Sequence, residues 1–132
     1  METPLPVTVI FVGLFVLMSV PMAIAVGLRR AQTGIMILHG DDADLLKRIR
    51  AHGNFVEYVP LALLALAAAE FAGAAAWFLI GVGCILFVAR ILHYASLRGS
   101  GKGIARVLGA ALTSASMLVL ALAALGFGSG LI

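Results

Sequence analysis

The chain has 132 residues, of which 63% are hydrophobic and 11% charged, and its mean hydropathy of +1.15 leaves too little polar surface to clothe a water-soluble globule. A pI near 9.6 is compatible with nucleic-acid binding, but the basic residues flank apolar runs instead of forming one solvated patch, so no nucleic-acid partner is expected. Cys84 is the single cysteine, which excludes a disulfide framework and a cysteine-based metal cluster, and no metal is expected.

Crossing the roughly 30 Å hydrocarbon layer takes about 20 helical residues. Apolar runs of that length fit four times and use nearly the whole chain. Barrel strands would alternate apolar and polar residues, whereas these runs are continuously apolar and rich in Leu and Ala. The expected fold class is therefore all-α, an integral membrane four-helix bundle forming a single domain over 1–132, with helices at about 5–28, 45–71, 74–97 and 104–126.

Pro4 to Leu28 carries no charge and is preceded by Glu2 instead of a basic segment, so it reads as an uncleaved first span, kinked at Pro21. Arg29 to Asp44, with Gly34, Gly40, Asp41 and Asp42, reads as a polar loop in which one aspartate caps the second helix. That helix carries Lys47, Arg48 and Arg50 in its first turns. Arg50, Asn54 and Glu57 stand at i, i+4 and i+7, within roughly a 60° wedge of the helix, and Pro60 is expected to bend the helix just beyond them. A carboxylate such as Glu57 costs on the order of 3 kcal/mol at a bilayer centre unless it faces the bundle and finds a partner.

The Ala-rich segment Ala65 to Ala76 contains Glu70 and Gly73, which read as the short turn into helix three. Helix three then places Arg90, His93 and Tyr94 in its last two turns, and the Arg98 to Gly103 connection is Gly-rich and basic. Helix four opens with Arg106 in its first turn, and the Gly126 to Gly130 tail is expected to fray. Lys and Arg concentrate after helices one and three, so the positive-inside rule places both termini on the non-cytoplasmic side. Arg50, Arg90, His93 and Arg106 then gather at the cytoplasmic ends of three helices.

Arg29, Lys47, Arg48 and Arg98 read as side chains reaching for headgroups. Arg90 and Arg106 can instead point into the bundle toward Glu57. Such a pocket offers guanidinium groups for carboxylates, one carboxylate for an amine, and amide and phenol groups for orientation. It suits a small zwitterion with net negative charge, such as the tripeptide thiol glutathione, while a lipophilic partner arrives from the membrane lipid. The competing reading is noncatalytic, with Arg50, Glu57 and Arg90 forming a structural ion network or binding another anionic ligand.

The run Arg50-Ala-His-Gly-Asn54-Phe-Val-Glu57-Tyr58-Val-Pro60, followed by Ala89-Arg90-Ile-Leu-His93-Tyr94 and by Arg106, resembles the MAPEG family, the membrane-associated proteins in eicosanoid and glutathione metabolism, and most of all its short bacterial members. The resemblance implies a homotrimer in the bacterial inner (cell) membrane that binds glutathione between subunits. It implies a glutathione transferase or glutathione-dependent peroxidase acting on lipophilic electrophiles. Arg50, Asn54, Glu57, Tyr58, Arg90, His93 and Tyr94 would hold the peptide, Arg30 and His52 would reach across from a neighbouring subunit, and Arg106 would stabilise the thiolate. The chain departs from the family's enzymes at Leu97, where a tyrosine often stands, and at Gly53, where some carry arginine.

Overall fold

A computed structural model describes residues 4–100 and 102–131; Glu2 and Gly101, both used in reading the sequence, lie outside that range. Four helices follow one another: α1 (Pro6–Thr33), α2 (Ala43–Phe71), α3 (Ala76–Arg98) and α4 (Ile104–Ser129). The shortest has 23 residues, about 35 Å at 1.5 Å per residue, so each is long enough to span a bilayer. The described residues contain no strand. The molecule is an all-α, integral membrane four-helix bundle.

The helix ends differ from the sequence expectation where backbone groups find partners. α1 continues five residues past Leu28, through Arg29 and Arg30, because Thr33 Oγ1 donates back to the Arg29 carbonyl at 2.9 Å and Gly34 closes the helix in the left-handed region at φ 71°. The presumed polar loop is thereby reduced to residues 34–42. Arg30 Nη1 ties it down by donating to the carbonyls of Ile35 and Leu38, each at 3.0 Å. Asp42 caps α2 as expected of one of the aspartates, accepting from the Leu45 N–H at 2.6 Å. The tail expected to fray is helical through Ser129 and closed by Gly130 at φ 73°. In a hydrocarbon environment an unpaired peptide group costs several kcal/mol, which outweighs the low helix propensity of Gly126 and Gly128. Both Pro21 and Pro60 lie inside continuous helices.

Glu70 belongs to the last turn of α2 and not to the turn that follows. Its two carboxylate oxygens accept the backbone N–H groups of Val7 and Thr8, at 2.8 and 2.7 Å. A carboxylate from one helix thus caps the start of another, satisfying two donors that α1 cannot satisfy itself.

α2 packs against all three other helices, whereas the backbones of α1 and α4 do not come within 8 Å of each other, Cα to Cα. The shared core is aromatic at its centre: the buried Phe15 ring lies 6.5, 6.0 and 5.5 Å from the rings of Phe11, Phe55 and Phe87. Leu66, Leu79, Leu86 and Leu120 complete it with no exposed surface. Large apolar side chains including Leu17, Leu64, Ile80 and Leu122 cover the outside, as a lipid-facing surface requires.

Two glycines set helix spacing. A Cβ at Gly83 of α3 would collide with the Phe11 ring of α1, and one at Gly109 of α4 would sit 2.9 Å from the Ala89 carbonyl oxygen of α3. Small residues at such crossings let two helix backbones approach closely.

Candidate functional site

The loop 34–42 and the described connecting residues Gly99, Ser100, Lys102 and Gly103 lie at the same end of the bundle, because side chains join the loop and Gly99 to the adjoining helix ends. Asp44 pairs with Arg48 at 2.8 Å, Arg98 at 3.0 Å and Arg29 at 3.6 Å, and Asp42 pairs with Arg29 at 2.6 Å. Lys47 Nζ donates to the Gly99 carbonyl at 2.7 Å. Arg29, Arg48 and Arg98 were expected to serve headgroups; instead Arg29 and Arg98 fasten α1 and α3 to Asp42 and Asp44 at the start of α2, while Arg48 pairs with Asp44 within α2 and donates to the Ala25 carbonyl of α1 at 3.3 Å. Arg29 holds the Asp42 carboxyl below its ordinary value, helped by the Leu45 N–H.

Inside this fastened end lies a cavity of about 300 Å³ lined by Leu46, Lys47, Arg50, Asn54, His93, Leu97, Ser100 and Arg106. A smaller chamber of about 40 Å³ is lined by Asn54, Tyr58, Arg90, His93, Ala110, Thr113 and Ser114. Asn54 and His93 line both, so they form the wall the two spaces share. Helices α2, α3 and α4 all contribute, which the charge placement in the sequence had anticipated for Arg50, Arg90, His93 and Arg106.

Arg90 is almost wholly buried, with 1% of its surface exposed. Its Nη2 donates to Asn54 Oδ1 at 2.7 Å and lies 3.4 Å from His93 Nδ1. Its guanidinium carbon stands 5.9 Å from the centre of the Phe55 ring, a distance at which a cation is attracted to the ring face. No described residue pairs with its buried Nε. Gly109 brings the start of α4 against His93, which is how the α4 residues come to face Arg90.

The remaining sequence candidates fall in different places. Glu57 is exposed, lines neither space, and among the described residues makes no ion pair. The Arg50–Glu57–Arg90 network of the competing reading is therefore not formed within this chain: Arg90 takes a neutral partner, Asn54, and the ion pairs are at the helix ends. Tyr94 packs against the apolar core. His52 is half-buried on α2 and lines neither cavity, and Arg30 is engaged with loop carbonyls. Among the described residues no three His, Cys, Asp or Glu side chains gather where a metal could bind.

Four polar lining residues escaped the sequence reading as site residues. Lys47 stands three residues before Arg50 and Thr113 seven after Arg106, so helical spacing carried a signal for both. Ser100, in the connection, and Ser114, one residue off that stripe, carried none.

The fold and the site define a class: a four-helix membrane protein with a cation-rich polar cavity at one end of an apolar bundle. The sequence profile of the MAPEG family matches residues 8–126, and the chain belongs to that family. It is also similar to the inner membrane protein YecN of Escherichia coli, in strain K12 and in O6:H1 strain CFT073, at 35% identity over 65 residues in each case. Each match covers 49% of this chain and 50% of the relative, so the chain aligns with about half the length of these curated relatives.

Proposed function

We propose that the protein is a glutathione-dependent transferase or peroxidase of the bacterial inner membrane, with both termini on the non-cytoplasmic side and a homotrimer as the working assembly. The observation that carries this reading is the cavity bounded by Lys47, Arg50 and Arg106, three cations with no carboxylate among its lining residues. Such a lining selects an anionic ligand. Family membership directs the choice toward a thiol peptide, and the name of the YecN relatives is in keeping with an inner-membrane location.

Glutathione would bind with its carboxylates toward the cations and its amide groups toward Asn54 and Ser100. A cation beside the sulfur in a poorly hydrated space lowers the thiol pKa and raises the thiolate population. Arg106 fits that task because it stays protonated throughout. With an aryl halide, the thiolate forms a carbon–sulfur bond and the halide departs with the electrons of the bond it leaves. With a lipid hydroperoxide, the sulfur attacks the distal oxygen, the O–O bond breaks to give the alcohol, and a second glutathione releases water and the disulfide. Glu57 and Arg50, exposed on the single chain, would complete the site beside a neighbouring subunit.

The test is turnover of glutathione with an aryl halide and with a lipid hydroperoxide by the purified protein, compared with Arg106→Ala. Loss of activity by roughly a hundredfold or more is expected, the usual cost of removing one preorganised charge-stabilising donor. If wild type and Arg106→Ala are equally inert and neither binds glutathione, the reading fails.

A further inference from the structure

We infer that the tip of the loop 34–42 is a lipid anchor: Met36, Ile37 and Leu38 insert among the lipids of the leaflet at the cavity's end of the bundle. Four aliphatic residues, Ile35 to Leu38, stand in a row between Gly34 and His39. Ile35 turns inward, so that its Cδ1 lies 3.1 Å from where a Cβ on Gly40 would stand. The other three are 76, 80 and 75% exposed. Water expels contiguous aliphatic surface of that extent, so an apolar medium or partner has to meet it.

The exposure is not the slackness of an unstructured turn. Arg30 Nη1 draws the carbonyls of Ile35 and Leu38 onto the last turn of α1, the Ile35 N–H donates to Thr33 Oγ1 at 3.4 Å, and the Asp42 N–H donates to the His39 carbonyl at 3.0 Å. Leu38 takes φ 57°, and among the described residues it is the one residue other than glycine with a positive φ. A leucine is strained in that region, where glycine is at ease. A fold that holds an aliphatic side chain outward from a strained backbone points to a task for the side chain.

Lipid meets the tip better than a water-borne partner or a second copy does. The loop joins two membrane spans, so headgroups and the outer ends of acyl chains are its neighbours. Exposed Val20, Ile24 and Leu28, at i, i+4 and i+8, carry the lipid-facing surface of α1 up to the helix's final turns, and the tip continues it. Charge agrees: Arg30 precedes the tip and Lys47 follows it, and neither pairs with a carboxylate among the described residues. Cations beside aliphatic side chains partition to a lipid surface, with the charges at the phosphates and the aliphatics below them. Asp42 at the end of the loop caps α2, which carries Lys47 and Arg50 to the cavity, so the anchor holds the cavity mouth at headgroup level whatever molecule the cavity takes.

A nitroxide attached in turn to Met36→Cys, Ile37→Cys, Leu38→Cys and Asp41→Cys tests this, in a Cys84→Ala background that leaves no other thiol. The full chain is placed in vesicles of phosphatidylethanolamine and phosphatidylglycerol, and power-saturation EPR reads how often the label meets oxygen, which concentrates in lipid, and a water-soluble nickel chelate. The ratio of oxygen to nickel access is expected to be severalfold higher at positions 36, 37 and 38 than at exposed Asp41 of the same loop. Three positions carry the same reading, so one variant that fails to fold leaves two to decide. Nickel access at the tip equal to that at Asp41 puts the tip in water and overturns the anchor. Exclusion of both reagents from the tip shows that protein covers it, as a contact between copies would, and overturns the anchor equally.

Discussion

Gly109 of α4 lies directly against His93 of α3: a Cβ at Gly109 would stand 2.8 Å from His93 Cβ and 2.9 Å from the His93 backbone nitrogen. Those neighbours are main chain and the root of a side chain, so neither can swing aside. The contact therefore fixes both the spacing of the two helices and the wall that separates the cavity from the chamber.

Gly109→Ala is expected to push α4 away from α3 at a cost of about 1–3 kcal/mol, the usual penalty for overpacking a tight contact. A lowered Tm in detergent, together with weakened glutathione binding, is the expected result. A Tm equal to that of wild type would show that the helix crossing is looser than the Gly109–His93 contact implies.

Glu70 is expected to be a stability residue and not a ligand. It lies in the last turn of α2, far along the helix from Arg50, and accepts the Val7 and Thr8 N–H groups at the start of α1. Glu70→Ala leaves two donors without their partner and is expected to cost about 1–3 kcal/mol. Glu70→Gln, which keeps one acceptor oxygen, is expected to recover part of that loss. Chemical denaturation of the three proteins in one detergent gives the order; turnover per folded molecule should be unchanged.

The Asp42–Arg29 pair makes stability depend on acid pH. The Asp42 carboxyl is held below its ordinary value, first by the hydrogen bond from Arg29 and then by the Leu45 N–H. A depressed folded-state pKa stabilises the fold fully above the unfolded value, about 3.9 for Asp, and that contribution is lost as pH falls through the lower folded value. Asp42→Asn keeps a capping oxygen for Leu45 but lacks the charge. Its Tm is expected to lie below wild type at neutral pH and to converge with it as the pH is lowered past the Asp42 titration. Curves that stay parallel down to the most acid condition would show that the Asp42 charge contributes nothing to the fold.

Much of this molecule is legible in its amino-acid sequence. Apolar run length alone sets four membrane helices, because lipid offers peptide groups no partner and leaves the helix as the way to satisfy them in a continuously apolar segment. The spacing of Arg50 and Asn54, and the placement of Arg90, His93 and Arg106 near matching helix ends, brought the same side chains to one end of the bundle. Helix ends were less legible: Thr33 and Ser129 extend their helices by bonds that depend on local geometry, and Glu70 was read as part of a turn because its partners lie 62 and 63 residues away.

Sequence by itself determined the fold class, the number of spans and which helices furnish the polar cavity, since these follow from hydropathy and helical period. Tertiary structure alone decided the pairing between helices: that Asp42 and Asp44 take Arg29 and Arg98, that buried Arg90 takes neutral Asn54, and that Glu57 stays outside. Charges on different helices choose partners by distance in three dimensions, and spacing along one helix says nothing about which neighbour comes within 3 or 4 Å on the next.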